Sequence, residues 1–415
     1  MNEVRNILLG IEISRDNAQL CYYDRSLKEP VSIPVKVGSN LCSFPMLLVK
    51  MKGKDEWHFG FEARFFEQQE NGISVPNPYT AACSDERAEV DGREMEPYEP
   101  LAVFIREALC LLGLPHPVQS LSGICVTCPD LHAVLARNIL SALRSLGLKA
   151  GQCFVCDRDE SFFYYAHSLK PEIHARGLAL IRFSGNTAAF SRLTESRATR
   201  PFAVSMEDGG SVELPEEPEE RDRAFAEAIG QWMKDVSCSG AFITGEGFST
   251  EWARDSVKVL SRAASHVFEG DNLYVKGACY AVFEKTERHA FDGKIYLGPD
   301  TLKVTVGMDV IEGGQQRFLP LVRAGSSYYT EESCIEVILD GREDLLVTAR
   351  AYDKSNHRNE RILLEGLPER PPRTTRLEIR ASCPSAEECL IRAEDLGFGE
   401  LFPATHQVFE MRIAL

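Results

Sequence analysis

The sequence predicts an α/β region followed by an all-β region, and three observations carry that expectation. Up to about residue 292, short apolar strands alternate with segments whose apolar residues recur at helical spacing. From about Gly293 the spacing changes to period two, with turn residues every ten positions or so, the pattern of a two-sheet β-sandwich. With 415 residues, of which 44% are hydrophobic, the chain is long enough for two to four domains that each bury a core. The expected division is therefore 1–292 and 293–415.

Taken in order, Asn6–Asp24 alternates as two strands around the polar turn Ser14-Arg15-Asp16-Asn17. Val31–Val37 and Met46–Met51 read as further strands, and Gly72–Pro100, rich in Pro, Gly and charge, reads as loop. Leu101–Gly113 has helical spacing and is stopped by Gly113 and Pro115. Ile124–Pro129 is a strand. It is followed by a helix with Leu131, Leu135, Ile139, Leu143 and Leu146 on one stripe, ended by Gly147. Cys153–Cys156 reads as strand, Glu160–Ser168 as helix, and Leu178–Leu193 as a hairpin turning at Ser184-Gly185-Asn186. The acidic, proline-bearing stretch Glu207–Arg223 reads as a solvated loop. Phe225, Ile229, Trp232, Met233 and Val236 mark a helix, Ala241–Thr244 a strand, and Trp252–Ala264 a second helix that Val275–Phe283 continues after a loop. Nine period-two strands follow, from Ile295-Tyr296-Leu297 to Val408–Ile413. No low-complexity segment and no short-period repeat is seen.

Charge and cysteine usage exclude several classes. A net charge of −16 argues against wrapping nucleic acid, where affinity rests on Lys and Arg neutralising phosphates. No apolar run reaches the ~20 residues of a spanning helix. Met1–Asn6 lacks the basic start of a secretory signal. The 13 cysteines, an odd number, read as free thiols in a reducing cytoplasm. Cys125-Val-Thr-Cys128 and Cys153-Phe-Val-Cys156 imitate paired zinc knuckles. Both lie in strand-like apolar runs, where residues i and i+3 face opposite sides, so no zinc is expected. There is no HExxH, GxSxG or GxxxxGK[ST].

Two hairpin turns can present backbone N–H groups to a phosphate chain from opposite sides. The order of such elements here runs through Gly10-Ile11-Glu12-Ile13, Ser43-Phe44-Pro45 and Phe59-Gly60 with Ala63. It continues with Ile124–Pro129 and its helix, Gly185-Asn186-Thr187, Thr244-Gly245-Glu246-Gly247 and Lys276-Gly277-Ala278. In that order the sequence resembles the actin and seventy-kilodalton heat-shock chaperone superfamily. Leu364–Arg373, Arg376–Ile379, Glu394–Gly397 and Phe318–Gly325 resemble the chaperone's substrate-binding β-sandwich, which actin lacks. The resemblance covers nearly the whole chain and stops where that family's helical lid would begin. It implies an actin-like, two-lobed nucleotide-binding-type domain followed by the sandwich.

By that resemblance the nucleotide-binding positions are Gly10, Glu12, Ser14, Arg15, Arg182, Gly185, Asn186, Thr187, Gly245, Gly247 and Gly277. Asp157, with Asp159 and Glu160 beside it, aligns near the carboxylate that positions the attacking water. Ile311, Phe318 and Leu321 are the peptide-binding candidates. The departures matter as much. The first phosphate turn, normally Gly-Thr-Thr after an Asp-bearing strand, holds Glu12, Ser14, Arg15 and Asp16. Arg182 stands where an Asp would hold Mg²⁺ through water. Arg15 adds bulk and Asp16 adds repulsion where phosphates would approach, and a Mg²⁺ site depends on few carboxylates. Phosphoryl transfer rests on positioning and charge neutralisation, so turnover should be severely slowed. Arg15 and Arg182 offer phosphate an alternative partner without metal.

The expectation is thus a chaperone-like protein with degenerate phosphate turns. It would bind protein or peptide partners in the cytoplasm with weak or absent ATP hydrolysis. ATP or ADP remains the ligand class, with Mg²⁺ in doubt, and neither nucleic acid nor membrane is a partner. The alternatives are an active ATP-dependent chaperone with altered metal chemistry and an actin-like filament former. The segment Glu284–Lys294, with Phe291 its one large apolar residue, offers little apolar area with which to couple two domains.

Overall fold

The strand Ile7–Ile13 is the hub of the first sheet in the computed structural model, with Leu8 to Ile13 all buried. The structure describes residues 6–36, 38–234, 236–270, 272–289, 291 and 293–415. The chain is a mixed α/β protein divided into two units. The first comprises Met1–Glu195 and Ser205–Phe291, the second Ser196–Val204 and Asp292–Leu415.

In the first unit, Ile7–Ile13 pairs parallel with Leu121–Cys128, which pairs parallel with Cys153–Asp157. On its other side it pairs antiparallel with Asn17–Asp24, which pairs antiparallel with Glu29–Ser32. Numbered in chain order, these strands lie 5-4-1-2-3 across the sheet. The second sheet repeats that arrangement. Leu178–Ser184 pairs parallel with Gly240–Glu246, which pairs parallel with His266–Glu269. Leu178–Ser184 also pairs antiparallel with Thr187–Ser196, whose other neighbour is Phe202–Glu213. The order is again 5-4-1-2-3. The two halves share a topology, not a short sequence period, which is why no repeat is legible in the residues.

Helices cover these sheets where the apolar stripes require it. Ala133–Ser145 buries Leu135, Ile139 and Leu143, and His132 Nδ1 caps it by accepting from the Leu135 N–H at 3.4 Å. Leu273–Phe283 is apolar nearly all round and is buried accordingly. It lies against Ile7–Ile13 at Gly10 and against helix Arg158–Ser168 at Gly277. A Cβ on Gly10 would run into the Val275 carbonyl and Cys279 backbone, and one on Gly277 into the Ser161 carbonyl.

Several local expectations give way to tertiary context. Gly72–Pro100 is not simply loop. It contains the strands Gly72–Ser74, Ala88–Val90 and Arg93–Met95 and the helix Pro78–Ala82, held by a small core of Leu48, Val75, Val90 and Met95. Glu207–Arg223 is not a solvated loop either. It is the end of strand Phe202–Glu213 and the start of helix Pro218–Trp232. Pro218 fits the first helical turn, and Glu219 and Glu220 face the positive end of the helix dipole. Val275–Phe283 does not continue the preceding helix, because strand His266–Glu269 intervenes. The strand expected over Val31–Val37 is Glu29–Ser32, and Val37 itself lies outside the described residues. Ala290 and Asp292 of the segment Glu284–Lys294 also lie outside them. Of that segment, Phe291 packs on Phe163, Tyr164 and His167 in the first unit.

The second unit contains two four-stranded antiparallel sheets. One runs Gln315–Val322, Val304–Glu312, Asp344–Ala351, His357–Leu363; the other Glu332–Ile338, Arg376–Ser385, Glu388–Gly397, Val408–Ala414. Residues of both sheets, among them Val306, Val347, Leu377 and Ile391, form one core. In the same unit Phe202–Val204 pairs parallel with Lys294–Tyr296.

Candidate functional site

The registers of the two sheets decide which side chains meet. Glu12 stands opposite Thr127, and Cys128 opposite Asp157, so Glu12 and Asp157 lie at the carboxyl ends of two parallel strands with Leu121–Cys128 between them. In open α/β sheets ligands bind beyond those ends, where the strand order reverses. Arg182 occupies the last turn's approach in the second sheet, opposite Thr244.

Here the charges neutralise one another. Arg158, the first residue of its helix, donates from Nη2 and Nε to Glu12 Oε1 at 2.8 and 3.1 Å. Arg182 donates from Nη1 to Asp159 Oδ1 at 2.7 Å. Between the pairs lies Tyr274, with the Arg158 guanidinium 5.0 Å from its ring centroid. Burial pushes the Tyr274 phenol up to about 12, although Arg182 and Arg158 pull it down. Burial disfavours the Arg182 cation, yet Asp159 and the Tyr274 phenol hold its pKa above the ordinary value. Two guanidiniums and two carboxylates therefore occupy the region where the resemblance places metal and phosphate.

Asp157 accepts from the Glu160 N–H at 2.6 Å and is the N-cap of helix Arg158–Ser168. Burial, then the nearby Glu160, raises its carboxyl to about 7. That hydrogen bond closes the first turn of the helix. Among the described residues no group of three His, Cys, Asp or Glu is placed to hold a metal ion. Cys125, Cys128, Cys153 and Cys156 are buried on adjacent strands, with Cys125 Sγ and Cys156 Sγ 3.6 Å apart.

Both hairpin turns are held by hydrogen bonds to protein groups. Ser14 donates from Oγ to the Asn17 carbonyl at 3.0 Å and accepts from the Asn17 N–H at 3.1 Å. The Arg15 carbonyl accepts from Asn77 Nδ2 at 2.8 Å, and the Arg15 side chain lines a cavity of about 800 Å³ bounded also by Met46 and Thr80. In the second turn the Gly185 N–H donates to the Glu246 carbonyl at 2.9 Å. Buried Arg221 donates to the Gly185 carbonyl at 2.7 Å, Asn186 Oδ1 at 2.6 Å and the Gly247 carbonyl at 3.2 Å. Thr187 donates to Glu213 Oε2 at 2.7 Å. Gly245 and Gly247, with φ of +94° and +116°, have a structural reason: a Cβ on either would strike the carbonyl of Phe183 or Gly185.

The structure thus gathers Glu12 and Arg182 around Tyr274, while Arg15 faces the separate cavity and Gly10 and Gly277 serve helix packing. Arg158, Arg221 and Tyr274 are the residues that sequence reasoning missed. Arg158 directly follows a strand end, which is a usable signal; Arg221 was hidden in an acidic run. In the second unit Ile311 is 72% exposed. Phe318 lies under the Arg350 guanidinium, 3.6 Å from its ring centroid. Leu321 is 2% exposed and part of the core, so it is not a surface contact for a peptide.

Among the described residues, no helix is long and apolar enough to cross a membrane. No curated protein matches the chain. Residues 301–415 match the domain of unknown function DUF8552. Residues 29–299, more than half of the sequence, match the C-terminal model of the family of unknown function DUF5716, and the chain belongs to that family.

Proposed function

We propose that this protein is a non-hydrolysing relative of the actin and heat-shock chaperone superfamily that acts by binding a protein or peptide partner. The repeated 5-4-1-2-3 strand order supports an actin-like, two-lobed first domain. The common core of the two antiparallel sheets supports a chaperone-like β-sandwich. The observation that carries the loss of hydrolysis is the pair of salt bridges Glu12–Arg158 and Asp159–Arg182 around Tyr274. A polyphosphate entering there would have to displace carboxylates from both arginines and would meet no ready Mg²⁺ anchor. Binding, not turnover, is then the work of the fold.

The test is steady-state ATP hydrolysis with and without Mg²⁺, beside calorimetric titration with ATP and ADP. No turnover above buffer is expected. Mg²⁺-dependent turnover at a chaperone's rate would instead establish the active enzyme, and nucleotide-dependent pelleting would establish a filament former.

A further inference from the structure

The first unit holds a cavity of about 800 Å³ that the proposed cleft chemistry does not use. Its volume lies in the range of small-molecule sites, roughly 300–1,000 Å³. Arginines from three separate segments reach it: Arg15 from the first hairpin turn, Arg64 from helix Gly60–Phe66, and Arg87 before strand Ala88–Val90. Such convergence runs against a chain whose net charge is −16.

The wall that carries Arg15 is fixed in place. Asn77 Nδ2 donates to the Arg15 carbonyl at 2.8 Å and to the Met46 carbonyl at 2.9 Å, and the Met46 N–H donates to the Asp16 carbonyl at 2.9 Å. Arg87 is held by Glu94 and Glu96 at 3.1 and 2.6 Å. Among the described residues neither Arg15 nor Arg64 has an ion-pair partner; Arg64 only borders the Phe61 ring, 5.9 Å from its centroid. Asp16 and Glu86 also line the cavity, and Arg87 is already matched by Glu94 and Glu96, so Arg15 and Arg64 are the guanidiniums left for a ligand. Two such cations beside two carboxylates suit a single anionic group and disfavour a polyphosphate. Leu47 and Pro76 supply an apolar wall for the rest of a ligand.

We propose that this cavity is a binding site for a small molecule carrying one carboxylate or phosphate on an apolar body, with Arg15 and Arg64 as the anion's partners. The inference stands independently of the hydrolysis reading, since the cavity contains neither Arg158 nor Arg182.

The experiment is calorimetric titration of the full chain with octanoate and with phenyl phosphate, using octanamide as the uncharged control. The same titrations are made on Arg15→Gln with Arg64→Gln, and on Arg392→Gln in the second unit. Saturable one-to-one binding of either anion, absent for octanamide, is expected. The double variant should bind about tenfold or more weakly, the loss of one charged hydrogen bond or more, and Arg392→Gln should bind like the parent. Preference between the two anions tells carboxylate from phosphate. Both arginines are exposed, so the double variant should keep its unfolding midpoint, which is measured alongside. No saturable binding of either anion, or equal binding by the double variant, overturns the proposal.

Discussion

Arg370 grips Asp395 with two parallel hydrogen bonds, Nη1 to Oδ1 at 2.8 Å and Nη2 to Oδ2 at 2.9 Å. The side chains are 4% and 0% exposed. The same carboxylate accepts from the Gly397 N–H at 2.9 Å, the Thr405 N–H at 2.9 Å and the Thr405 hydroxyl at 2.7 Å. This contact joins the segments Leu364–Arg373 and Glu394–Gly397, which the sequence displays only as separate motifs. Removing Arg370 leaves a buried carboxylate without its cation, so Arg370→Ala should destabilise the second unit by about 3–5 kcal/mol. Denaturant unfolding of the full chain, followed by hydrogen exchange in strands Arg376–Ser385 and Glu388–Gly397, measures it.

The same residue sets an acid limit. Burial opposes ionisation of Asp395, but Arg370 and the Thr405 and Gly397 donors hold its carboxyl well below the usual carboxylate range. A depressed folded pKa stabilises above the unfolded value of 3.8 and loses that contribution as pH falls below it. Protection of the second unit should therefore decline below about pH 4, and Asp395→Asn should flatten that decline. An unchanged slope in the variant would remove Asp395 as its source.

Asp157 works in the opposite sense. Its folded pKa, about 7, lies above the unfolded 3.8, so its contribution is fully present below pH 3.8 and is lost as pH rises through 7. Asn caps a helix as well as Asp does. Asp157→Asn should accordingly leave stability unchanged near pH 4 and raise it by about 1–3 kcal/mol at pH 8. Chemical unfolding at the two pH values reads this directly.

Gly10 and Gly277 allow helix Leu273–Phe283 to touch a strand on one side and a helix on the other. Gly277→Ala forces backbone apart at Ser161 and should cost about 1–3 kcal/mol or more, as overpacking does. Gly151→Ala, where a Cβ meets nothing within 4 Å, is the control and should leave the unfolding midpoint in place.

The Asp159–Arg182 pair is only partly buried, each side chain 34% exposed. A double-mutant cycle with Asp159→Ala and Arg182→Ala should return a coupling of about 1 kcal/mol, the range of solvent-screened pairs. Arg182→Asp would set a carboxylate against Asp159. It should lower the unfolding midpoint and should not by itself create Mg²⁺-dependent turnover.

The sequence by itself determined those local elements whose apolar residues keep a period. Alternation in Asn6–Asp24 specifies a hairpin, the Leu135–Ile139–Leu143 stripe specifies a helix, and period-two runs after Gly293 specify the strands found there. These signals are legible because each is a contact between a few neighbouring residues and one buried face. Only the tertiary structure decided that Glu12 meets Arg158, 146 positions away, and that Arg370 meets Asp395. It also decided that Gly72–Pro100 is ordered around Val75, Val90 and Met95. A charged residue has no period to reveal its partner. Its pairing depends on which strand ends the sheet order brings together, and on whether burial makes an unpaired charge too costly to keep.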